Sequence, residues 1–496
     1  MSQAEKTFLI HPRYRIPVYL SLALCAILCL TMNQYGMTGD EIAYSPAGRI
    51  YLMWAEHPFA HNNRLDATWS YNHEHPPFGK ILGGLAERLF HDGLGTVGLI
   101  KAFRLQNLIY CFALSFVMYL WVTEIANKYI GILAVLITFF LPRMYFTAHI
   151  ADLDYPVTIL MFVTAYAFWK GLQKPKYMMI CSVLMGLALL TKINAVFLFA
   201  FLGVWLIAAW RKQLKSQRVY IVSFALIPPA MFVAFWPWLW PHPISRTIGY
   251  VTWLMRHFPL DVYYLGRTYS GNTPWHYPLV LSFITLPVVI LAAIVYYIFR
   301  ARKRTLDLFL ACNVALPILL IALFCPCTSG GVRLFLPAFP FLCMFAALGI
   351  HQYLSVRTSG RVTALILVLG LAAAFAVGAY GRYQECYYNE LVAISHTGSL
   401  FETEYTGCPI QEVIPWMNEH PGARFCQATW LVEKYKIFGN LSGDTIFTDY
   451  ATADYLILPS QEGRFDDVER DYYLHKTPVV AVREGNGLLL LGVYKK

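Results

Sequence analysis

Charge is what this sequence has little of. Only 14% of its 496 residues are Asp, Glu, Lys or Arg, against about a quarter in a soluble globular protein. With 57% of the chain hydrophobic, that deficit excludes a surface wetted by water throughout. Also missing are the short alternating segments of a membrane β-barrel, low-complexity tracts, and any period suggesting a solenoid. Cys325-Pro326-Cys327 has no second matching pair elsewhere, so metal ligation by cysteine lacks its other half. The first apolar run ends in Met32-Asn33-Gln34 without a small-residue cleavage pattern, and is expected to stay as an anchor.

What is present is a series of apolar runs of roughly 20 residues, the length that crosses a bilayer as helix. They predict an α-helical polytopic membrane protein with about 11 transmembrane helices. Lys6, Arg13 and Arg15 precede the first span, Ile16 to Met32. Later basic clusters (Lys170, Lys174, Lys176; Arg211, Lys212, Lys215, Arg218; Arg300, Arg302, Lys303, Arg304; Arg357, Arg361) fall on alternate loops, as the positive-inside rule requires. The net charge of +10 is therefore topogenic, and nucleic acid is not an expected partner. Of eleven cysteines, Cys25, Cys29, Cys111, Cys181 and Cys343 lie inside apolar runs and act as small hydrophobes. Cys325, Cys327, Cys386, Cys408 and Cys426 lie outside them, where an oxidising face would permit a disulfide.

The runs divide the chain into a transmembrane domain, 1–380, with a large first outer loop over 34–98, and a tail, 381–496. Strand candidates in the tail are Arg424 to Thr429, Tyr455 to Leu458, Val479 to Arg483 and Leu488 to Tyr494, with a helix over Ile410 to Glu419. This reads as a soluble α/β domain outside the cytoplasm. The whole is expected in the cell (inner) membrane.

The motif-bearing loops all fall opposite the basic clusters. Asp40-Glu41 directly follows span one. As a partly desolvated carboxylate at the bilayer surface, Asp40 can serve as general base; the plainer alternative is a pair of solvated loop acids. Asp152 and Asp154, beside His149, offer a second acid, although helix N-terminal acids are also favoured by the macrodipole. His75-Pro76-Pro77-Phe78-Gly79-Lys80 combines a stiffened chain with a cation suited to an anion. Arg333, after Gly330-Gly331, is a second such cation or a snorkelling interfacial arginine. Arg64, Lys192, His242, Arg246 and Arg267 are weaker candidates. Acids and cations on one face suit a reaction on a lipid-linked phosphate, with cations stabilising the leaving group. A transporter or flippase of lipid-linked sugars is the alternative; it would place ionisable residues at mid-membrane and show related halves.

Asp40-Glu41, the His75 to Lys80 run and Asp154 beside Pro156 resemble the protein O-mannosyltransferases and their bacterial relatives. These polytopic C-type glycosyltransferases (glycosyltransferase family 39-like) include the lipid A aminoarabinose transferases. The segments Gly186 to Lys192, Val332 to Pro340, Tyr387 to Leu391 and Ile414 to Glu419 extend the likeness over most of the chain. The resemblance implies inverting transfer of a sugar from a polyprenyl-phosphate donor to a hydroxyl on a lipid, glycan or protein at the outer, periplasmic face. Asp40 would match the base, Glu41 its neighbour and Asp154 the second-loop acid. Lys80, Arg333, His75 and Arg64 are the candidates for donor-phosphate contact. No outer loop can hold the sugar-binding insert of the eukaryotic enzymes, which favours a bacterial-type enzyme. No cofactor is implied, and nothing in the sequence requires a divalent metal.

Overall fold

A long capped helix that follows the first span sets out the geometry of the molecule. The computed structural model describes residues 11–58, 65–212, 215–255, 260–300, 304–324, 330–354, 377–378, 380–427, 431–484 and 487–496. Among them, Pro12–Gln34, Leu99–Ile125, Thr305–Leu323 and Arg333–Leu354 are each long and apolar enough to cross a membrane. Two bent pairs pass the same test together: Lys128–Phe139 with Pro142–His149 at 66°, and Tyr277–Ile284 with Val288–Arg300 at 114°. Tyr177–Thr191, Ala195–Trp210 and Arg218–Ala234 are shorter apolar helices. The architecture is thus a mostly helical polytopic membrane protein. The eleventh expected span falls mainly on 355–376, outside the described residues, as do Cys325, Cys327 and Arg64.

The first outer loop is helical for much of its length. Thr38 opens the Gly39–Glu56 helix with a capping box: its Oγ1 accepts from Glu41 N, and the Glu41 carboxylate accepts from Thr38 N. This helix packs on Phe78–Glu87 at very short range. A Cβ at Gly48 would lie 2.2 Å from the Lys80 carbonyl oxygen, so only glycine fits the crossing. The stretch that leads to Asp154 begins as helix Pro142–His149. Pro142 pre-sets its first turn.

The tail carries a five-stranded mixed sheet. Its strands are β3 (Arg424–Gln427), β4 (Ile446–Phe447), β5 (Tyr455–Pro459), β6 (Val480–Arg483) and β7 (Leu489–Lys495), in the order β4-β3-β5-β7-β6. β3 runs parallel to β4 and β5, while β7 is antiparallel to β5 and β6. All four expected strands are there. The expected helix is split into a 3₁₀ turn, Cys408–Glu412, and a helix, Ile414–Asn418, with Pro415 at its start. A hairpin not anticipated from sequence joins β1 (Val262–Tyr264) to β2 (Arg267–Tyr269) through Leu265 and Gly266, both at positive φ.

The tail is fastened to the loop before the Gly39–Glu56 helix. Tyr35 Oη donates to Gln384 Oε1 at 2.8 Å, Met37 N to Tyr435 Oη at 2.9 Å, and Gly39 N to Thr406 O at 3.4 Å. Cys386 and Cys408 are buried free thiols in this seam, and Cys426 is a half-buried free thiol on β3. Gly39, next to Asp40, is thus tied to the tail through its amide.

Candidate functional site

Four segments far apart in sequence meet in one chain of charges. Asp40 stands in the first turn of its helix, Asp154 at the start of Asp154–Gln173, Lys192 just after Tyr177–Thr191, and Arg333 at the start of the 3₁₀ turn Arg333–Ala338. Arg333 binds both acids: its Nη2 pairs with Asp40 Oδ2, and its Nε donates to Asp154 Oδ2 at 2.9 Å. Lys192 Nζ holds the other oxygen of Asp154 at 2.5 Å. The two acids have different surroundings. The Asp154 side chain is 0% exposed and that of Asp40 is 28% exposed. Asp154 has both oxygens engaged, whereas Asp40 remains partly open to its surroundings.

A third carboxyl, Asp152, completes the cluster. Its Oδ1 accepts from Asp154 N at 3.0 Å and Tyr155 N at 3.1 Å, fixing the start of the helix. Its Oδ2 is buried without a partner. Burial, reinforced by the neighbouring Asp154, pushes the Asp152 carboxyl up to about 8. It is therefore neutral at pH 7, and Asp40 and Asp154 are balanced by Arg333 and Lys192. As pH rises through about 8, a further negative charge appears with no cation to match it. Turnover should then decline. Asp152→Asn keeps the acceptor and stays neutral, so its pH–rate profile is expected to lose this alkaline limb; an unchanged limb would assign the titration elsewhere.

Glu41 sits beside Asp40 in sequence and faces away from it in space. Its carboxylate receives Arg104 Nε at 2.5 Å, Arg104 Nη2 at 2.8 Å, Ala151 N at 2.9 Å and Thr38 N at 3.0 Å. With every lone-pair direction engaged, it is a structural tie and not a second base. The sequence carried the signal: Thr38-Gly39-Asp40-Glu41 is a capping-box pattern, which assigns its glutamate to the helix start. Arg104, which no motif singled out, also donates to the carbonyls of Met32, Tyr35 and Gly36.

Lys80 likewise lies where it serves the fold. It is fully buried, and its Nζ donates to Asn72 O at 2.5 Å and His75 O at 2.8 Å, between the rings of Tyr44 and Tyr51. Burial lowers its pKa to about 7, with Glu74 opposing. An ammonium held in this way ties down the loop carbonyls before Pro76-Pro77 and has little charge to spare for a phosphate. Lys192, a weaker candidate by sequence, is the lysine that joins the charged cluster, through Asp154. Lys80→Met should leave donor affinity unchanged but strand two carbonyls, at about 1–3 kcal/mol. A lower thermal midpoint with intact lipid binding checks this.

His75 packs edge-on against Tyr44, with ring centroids 6.0 Å apart, and its Nδ1 is buried without a partner. Burial, then the charges of Lys192 and Lys80, hold the imidazole well below its usual range, so it is neutral. His149 is buried in a separate cluster: it hydrogen-bonds Thr31 Oγ1 and Tyr145 O and stacks on Tyr35. Arg246 is spent on Asp66 and the Trp238 carbonyl. Arg267 is exposed on β2. Among the described residues no group of three or more His, Cys, Asp or Glu is placed to hold a metal ion.

Comparison with known proteins gives the class. Residues 74–239 match the family described as dolichyl-phosphate-mannose-protein mannosyltransferase. That segment carries the His75 to Lys80 run, Asp154 and Lys192. Among solved structures, ArnT from Cupriavidus metallidurans is similar both bound to undecaprenyl phosphate (14% identity, TM-score 0.53) and in the apo state (15%, TM-score 0.55). In both comparisons the likeness covers 96% of this chain and 97% of the other. An Archaeoglobus fulgidus oligosaccharyltransferase tethered to an acceptor peptide is more distant, at 14% identity and a TM-score of 0.41. No curated sequence matches. The fold and the matched segment give one class, a polytopic membrane glycosyltransferase. The family matched is the one that the sequence resembles.

Proposed function

We propose that this protein moves a sugar, with inversion, from a polyprenyl-phosphate-linked donor to a hydroxyl acceptor at the outer face of the cell membrane. The observation that carries the reading is the ion-pair chain Asp40–Arg333–Asp154–Lys192, drawn from four separate segments. A structural salt bridge rarely joins so many elements at one partly open acid, and perturbed, coupled charges of this kind mark functional sites.

In the proposed reaction the acceptor oxygen attacks the anomeric carbon from the face opposite the phosphate. Its proton passes to Asp40. A new carbon–oxygen bond forms on the acceptor as the bond from carbon to the phosphate oxygen breaks. The bonding electrons leave with polyprenyl phosphate. Arg333 orients Asp40, and Asp154 with Lys192 holds Arg333 in place. The apolar spans, about eleven in this reading, would accommodate the polyprenyl chain. The tail, 381–496, would lie outside and roof the site. The acceptor would be a lipid, a glycan or a protein.

Reconstituted full-length protein supplied with total lipid extract from the parent cells tests this directly. Mass spectrometry should show undecaprenyl phosphate accumulating together with loss of its glycosylated form. Unchanged lipids in the presence of active-looking, folded protein would refute the reading, as would translocation of intact donor without cleavage.

A further inference from the structure

The charges of the site cancel, which leaves the incoming phosphate without a cation. Arg333 is shared by two acids, Lys192 is held by Asp154, and Lys80 is committed to loop carbonyls. One more buried guanidinium lies close by. Arg143 is 4% exposed in the first turn of Pro142–His149. Of its five N–H donors, one is used, Nη2 to Tyr387 O at 3.4 Å, and Nε is buried without a partner. Among the described residues no Asp or Glu pairs with it.

No carboxylate among the described residues balances that charge. A cation in the first turn runs against the helix dipole, and a buried charge without a counterion is costly. Its neighbours are the rings of Tyr388 and Tyr405, 5.5 and 5.6 Å from the guanidinium carbon. Glu385, the nearby acid, is hydrogen-bonded to Thr406 Oγ1 at 2.9 Å. Burial and then Glu404 raise the Glu385 pKa well above its usual range, so it is a weak counterion for Arg143. Tyr405 also joins this residue to the reactive cluster. A Cβ at Gly331, two residues before Arg333, would lie 3.2 Å from Tyr405 Cζ.

We propose that Arg143 is the cation that receives the phosphate of the lipid-linked donor, while Arg333 stays bound to the two acids. This rests on the donor reading above. A guanidinium fork presents two parallel N–H groups to phosphate oxygens. The surrounding aromatic rings would exclude water and strengthen the pairing as charge builds on the leaving group.

The experiment compares binding of undecaprenyl phosphate and undecaprenol to the full-length protein in detergent. The wild type should prefer the phosphate. Arg143→Gln should lose about tenfold to a hundredfold in affinity for undecaprenyl phosphate and nothing for undecaprenol. Arg143→Lys, with a point charge but no fork, should lose severalfold on the phosphate alone, and it decides the matter if the Gln variant does not fold. Wild-type affinity for undecaprenyl phosphate in Arg143→Gln would overturn the proposal. Equal loss for both lipids would also overturn it, by making Arg143 a latch for the tail. A wild type indifferent to the phosphate would instead remove the donor reading on which it stands.

Discussion

Asp40→Asn is expected to lower turnover by about a hundredfold to ten-thousandfold, the usual contribution of a positioned general base, while leaving protein yield and lipid binding close to wild type. The substitution keeps the shape of the side chain and removes only its capacity to take a proton. Arg333 retains Asp154 through Nε, so the cluster loses one ion pair and keeps its frame. Single-turnover rates with donor held in excess separate this from a binding defect. Turnover near wild type would take Asp40 out of the chemistry, and the partial exposure that distinguishes it from Asp154 would need another explanation.

The neighbouring residue should behave in the opposite way. Glu41→Ala leaves Arg104, itself 2% exposed, without its carboxylate. Breaking a buried ion pair by removing one partner costs about 3–5 kcal/mol. The Thr38 and Ala151 amides lose their acceptor as well. Little folded protein is expected, and Glu41→Gln should restore part of it. Fluorescence-detected size-exclusion after a heating series reads the difference. A Glu41→Ala protein as stable as wild type but inactive would return Glu41 to the reaction.

These adjacent residues show what a sequence can and cannot reveal about a site of this kind. Several of the spans and the tail strands were legible because burial in lipid and in a sheet imposes simple periods. Asp40, Asp154 and Arg333 were legible as acids and a cation beside span ends. What pairs with what was not, since Lys192 and Arg333 reach Asp154 from 38 and 179 residues away. Nor was the setting of Lys80, for the same reason. A lysine beside two prolines offers charge on paper, while its direction depends on a loop carbonyl and two tyrosines brought in by another helix. Arg143 gave no signal at all, because a missing counterion is visible only in three dimensions.

Labelling of single cysteines in intact cells tests the central claim, that this charged chamber opens at the outer face. In a background without native cysteines, Glu74→Cys and Arg267→Cys, both exposed positions on the loops proposed to lie outside, should react with a membrane-impermeant maleimide. Lys174→Cys and Lys212→Cys, exposed between the apolar helices at the other end, should react only after permeabilisation. Labelling of Lys174 and Lys212 from outside, with Glu74 and Arg267 protected, would put Asp40 and its partners on the wrong side of the membrane and contradict the account.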